Sequence, residues 1–88
     1  METIKDQIEN LNEQITLNQQ SFLLDCMVKV FVYLNEEQKS AIWQLTEFMT
    51  ARKYKYLLAL YFSWKEAREA DKWLAKEKLR KELNIIIN

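Results

Sequence analysis

Glycine, proline and histidine are absent from the 88 residues of this chain, and cysteine occurs once. Without glycine or proline the chain cannot make the usual primed hairpin turns, type II turns or phosphate-cradling loops. Without histidine it lacks the commonest general base and the commonest metal ligand. Ser40, Ser63 and Cys26 therefore have no imidazole to activate them, and a helical di-metal carboxylate site would lack its Glu-x-x-His motifs. The carboxylates of Glu36 and Glu37 stand where a helix start would use them against its dipole. The expectation is a protein that is not an enzyme, with no cofactor, no metal and no small-molecule substrate. The lone Cys26 forms no intramolecular disulfide and reads as a small buried hydrophobe.

Charge of one sign and long apolar runs are also missing. Thirteen basic residues cancel thirteen acidic ones, which is unlike a nucleic-acid binder. The runs Phe22–Leu34 and Tyr54–Trp64 fall short of the roughly 20 residues of a membrane span, and the first contains Asp25 and Lys29. The opening Met1-Glu-Thr-Ile-Lys-Asp-Gln has neither the basic nor the apolar region of a signal peptide. These features predict a soluble protein of the reducing cytoplasm with no membrane contact.

What is present is apolar and aromatic: 49% of the chain is hydrophobic and 12% is Phe, Trp or Tyr, too much for disorder. The length fits a single domain over residues 1–88. With no glycine or proline to break helices, side-chain caps must do it. Thr3-Ile-Lys-Asp6, Asn35-Glu-Glu-Gln38 and Ser63-Trp-Lys-Glu66 have that chemistry, the last with Phe62 and Ala67 as its hydrophobic staple. They predict helices over 3–34, 36–62 and 64–84. The expected fold is all-α: an antiparallel three-helix bundle, or a long two-helix hairpin if 36–84 is continuous.

Along the first predicted helix Ile4, Ile8, Leu11 and Ile15 recur at heptad spacing, a narrow seam of the kind that meets one partner helix. From Phe22 to Leu34 eleven of thirteen positions are apolar, and the arm gives way to core. Residues 54–64 are apolar all round, which argues burial on several sides. In the third helix Trp64, Ala67, Ala70 and Leu74 make an early apolar face; Ala75, Leu79, Leu83 and Ile86 make a later one about 100° away. So much apolar surface in so short a chain predicts self-association, as a homodimer with a coiled-coil-like seam, or a protein partner. Trp43, Trp73, Tyr54 and Tyr56 are candidate docking residues, because Trp and Tyr dominate interface hot spots.

Residues 1–44 carry net charge −4 and residues 45–88 net +4. Within the second half Lys65, Arg68, Lys72, Lys76 and Arg80 fall within about 120° on a helical wheel and would span about 22 Å. Such a row could track a phosphate backbone, although acidic residues surround it and mixed charge on a helix is usually solvated. The functional expectation is a small helical interaction module, an adaptor or an inhibitor of a larger protein. Phage- or plasmid-encoded antagonists of host systems, such as anti-CRISPR inhibitors, are of this size and composition, though no motif singles them out. A nucleic-acid-binding accessory protein using the basic row and a structural self-assembly component are the alternatives.

Overall fold

Three side-chain oxygens start three of the helices. In the computed structural model, which describes residues 13–85, Thr16 opens α1 (Leu17–Val30), Asn35 opens α2 (Glu36–Glu47) and Thr50 opens α3 (Ala51–Glu66). The Thr16 hydroxyl accepts from the Gln19 backbone N–H at 3.2 Å, and the Gln19 side chain accepts in return from the Thr16 N–H at 2.8 Å. Asn35 and Gln38 make the same reciprocal pair at 2.7 and 2.9 Å. Thr50 accepts from the Lys53 N–H at 3.2 Å. Each bond satisfies an amide that the first helical turn leaves without a partner. The fourth helix, α4 (Glu69–Leu83), has no side-chain cap and relies on Glu69 and Asp71 in its positive first turn.

The chain is all-helical, with four helices among the described residues where three were expected. The break at Asn35 is where the capping residues place it. The helix predicted over 3–34 differs at both ends: α1 begins at Leu17 and stops at Val30, while Thr3 and its cap lie outside the described residues. The reason at the front is a backbone pairing. The Ile15 N–H donates to the Met49 carbonyl at 3.1 Å, and the Ala51 N–H donates to the Glu13 carbonyl at 2.8 Å. Residues 13–15 are thus extended against 49–51, joined through a Gln14–Thr50 bridge.

The same pairing splits the helix predicted over 36–62, because Phe48–Thr50 must leave helical geometry to meet Ile15. The predicted break at Ser63 is absent. Ser63 lies inside α3, and the chain turns at Ala67 and Arg68 instead. Two contacts favour the extra turn: Trp64 stacks on Tyr61 with ring centres 6.1 Å apart, and the Lys72 ammonium donates to the carbonyls of Trp64 (2.9 Å) and Lys65 (3.2 Å). Lys72 does for the end of α3 what a C-terminal cation does elsewhere.

α3 and α4 run antiparallel, since Lys53 pairs with Glu82 at one end and Lys72 reaches Trp64 at the other. α1 packs on α2 and on α3. Leu23, Met27 and Val30 of α1, Ile42 of α2, Leu57 and Tyr61 of α3, and Leu79 and Leu83 of α4 meet in one buried cluster with Phe31. One buried polar link ties α1 to α2: the Gln20 amide donates to the Thr46 hydroxyl at 3.1 Å, which donates to the Trp43 carbonyl at 2.6 Å. No helix among the described residues is long and apolar enough to cross a membrane.

Candidate interaction surfaces

The four docking candidates part company in the structure. Tyr54 is buried against the core, and burial, with Cys26 nearby, pushes its hydroxyl above the ordinary phenol value. Trp43 is half-buried, and Tyr56 is exposed on α3. Trp73 stands 64% exposed on α4, beside Leu74 at 50%. Of the self-association seam, Ile4, Ile8 and Leu11 lie outside the described residues. Ile15 is buried in the molecule's own core and is not helical.

The basic row is not continuous. Lys65 belongs to α3 and Arg68 to the turn, so the change of helix at 67–68 separates them from the other three. Those three are occupied within the molecule. Lys72 caps α3 and lies 4.6 Å from the centre of the Trp64 ring, and Lys76 lies 5.6 Å from that of Phe31. Arg80 makes a two-pronged bond to Glu77, Nε to Oε1 at 3.0 Å and Nη2 to Oε2 at 2.8 Å. That bond holds the Glu77 carboxyl below its ordinary range and raises Arg80.

The apolar faces of α4 also resolve. Leu79 and Leu83 are the buried stripe, with Ala75 partly covered, whereas Ala70 and Leu74 face away from the core. The turn at 67–68 leaves Trp64 and Ala67 with α3, so the drift of the stripe along one long helix disappears. The apolar run of α3 is likewise one-sided: Tyr54, Leu57 and Tyr61 are buried, but Tyr56 and Phe62 are exposed.

Sequence reasoning missed the most exposed aromatic residues. Tyr33 is 91% exposed in the turn after α1, and Phe48 is 77% exposed at the α2–α3 corner. One helix over 36–62 would set Phe48 on a helix face and not at a corner. Thr50 ahead of an apolar helical run was the available signal, since a threonine there can start a helix and put Phe48 in the turn before it. Phe48 and Leu45 line an open hollow of about 290 Å³ together with Met49, Thr50, Lys53, Glu82 and Leu83. Lys53 and Glu82 of that lining form an ion pair. A hollow with a largely apolar lining and one charged pair can receive an apolar side chain and orient a polar one beside it.

Cys26 is buried, and its thiol is pushed above the ordinary value by that burial, with Lys29 opposing and Asp25 adding to the rise. Comparison with protein families, curated proteins and solved structures gives no match, so the functional reading rests on these surfaces alone.

Proposed function

We propose that this chain is a non-catalytic protein–protein interaction module, an adaptor or inhibitor that docks on a larger protein. The observation that carries the reading is the α2–α3 corner, where Phe48 and Leu45 are both exposed and both line the hollow. An exposed aromatic side chain next to a receptive hollow, bordered by charge, has the make-up of an interface centre and its polar rim. The nucleic-acid alternative loses support, because three of its five cations have partners inside the molecule.

Self-association is part of the same proposal, and so is a bundle arrangement of the helices. A seam through Ile4, Ile8 and Leu11 would have to work without Ile15, which the core already uses.

The test is a pull-down from a lysate of the source organism with the wild-type chain and with Phe48→Asp. Circular dichroism checks that the exposed substitution leaves the fold intact. A larger protein retained by wild type and lost with Phe48→Asp is the expected result. Retention of the same proteins by both chains, or of none by either, overturns the docking role of the corner.

A further inference from the structure

On the side of α4 away from the core, Ala70, Leu74, Glu77 and Lys81 recur at spacings of four, three and four, the register of a coiled-coil seam. Ala70, Leu74 and Lys81 are exposed, and Glu77 is half-exposed. Leu79 points the opposite way and is fully buried. One flank of this seam carries Asp71 and Lys78, seven residues apart. The other carries Trp73 and Arg80, also seven apart. Asp71 and Lys78 are exposed and make no ion pair among the described residues.

We propose that this face of α4 pairs antiparallel with the same face of a second copy of the chain. In an antiparallel pair, residues on like flanks meet across the seam. Asp71 of each copy then faces Lys78 of the other, and the Trp73 ring of each faces the Arg80 guanidinium of the other. Both are attractive, the first as an ion pair and the second as a cation over a ring. Each forms twice by symmetry, as a two-fold interface requires. Arg80 is already held flat by its two-pronged bond to Glu77, which leaves the face of the guanidinium open to an aromatic ring. The seam would cover Leu74 and much of Trp73, the two large apolar side chains that α4 exposes.

A fifteen-residue helix offers a contact about 22 Å long. That places the interface at the small end of specific ones, so the dimer is reversible and forms at about micromolar concentrations or above. The proposal shares no residue with the Phe48 corner and stands or falls separately from it.

The test is sedimentation equilibrium of the full chain at low ionic strength, with Leu74→Asp, Asp71→Lys and Lys78→Asp. Wild type is expected to form a dimer, and Leu74→Asp to weaken it more than about tenfold, the loss of a central contact. Asp71→Lys and Lys78→Asp each place like charges across the seam, so each alone is expected to be monomeric. An equimolar mixture of these two variants is expected to form heterodimers. Circular dichroism checks that each variant keeps its helix content, and the mixture succeeds only if both are folded. A wild-type monomer at all accessible concentrations overturns the proposal. So does a dimer indifferent to Leu74→Asp, or a mixture that stays monomeric.

Discussion

Thr46 holds a buried polar link between α1 and α2, taking a hydrogen bond from Gln20 and giving one to the Trp43 carbonyl. Thr46→Val keeps the shape and removes both bonds, leaving the Gln20 amide buried without its acceptor. Urea denaturation is expected to show a loss of about 1–3 kcal/mol, the cost of stranding a buried polar group. Cys26 gives a prediction in pH. Its native thiol is held above the ordinary value of about 9 by burial, so as pH rises the unfolded chain releases its proton first. Stability from this group is complete below that value and declines above it. The buried Tyr54 hydroxyl, also raised by burial, acts in the same direction at higher pH. A lower urea midpoint at pH 10 than at pH 7 is expected, with a smaller drop in Cys26→Ala. Cys26 was legible as a core residue because it sits in an almost uninterrupted apolar run. The Gln20–Thr46 link was not, since neither residue carries a local signal and the bond spans 26 positions.

A helix start is legible where the cap and its return partner directly follow the end of an apolar run. Asn35 with Gln38 is such a case, and Asn35→Ala is expected to lower stability by about 1 kcal/mol in thermal or chemical denaturation. An unchanged midpoint would show that the cap does not hold α2 in solution. Thr16 with Gln19 has the same chemistry, yet it stands between a helical apolar spacing that ends at Ile15 and the apolar run that begins at Phe22, so the sequence reads as one helix across it. A pairing between Ile15 and Met49, 34 positions apart, overrode that periodicity. Ser63 shows the converse. It has the pattern of a cap, but the Tyr61–Trp64 stack and the reach of Lys72 keep the helix going. Helix ends were harder still, because glycine, the usual residue past a helix end, is absent. Only Asn84 takes the left-handed conformation there (φ 51°), a role asparagine can fill at modest cost. The other three helices end through ordinary backbone angles that leave no mark in the sequence.

The molecule folds one side of each apolar run into a single cluster and leaves Phe22, Val32, Tyr33, Tyr56 and Phe62 of those runs exposed, along with Phe48, Leu45, Trp73 and Leu74. The surplus of apolar side chains was legible from composition and length. Which ones are surplus was not, because the two deciding features are the extended pairing at 13–15 with 49–51 and the turn at 67–68. The first puts Phe48 at a corner, and the second turns Ala70 and Leu74 away from the core while giving Lys72 its place at the end of α3. Of the named docking candidates, Trp73 is the one the structure leaves most exposed.

A photo-reactive benzoyl-phenylalanine placed at Phe48, with a control at the exposed Arg52 on α3, tests the docking role directly in cells of the source organism. Irradiation is expected to give one dominant adduct with a larger protein from position 48 and none of that mass from position 52. No adduct at position 48, or the same ladder of adducts from both positions, would contradict a specific partner at the α2–α3 corner.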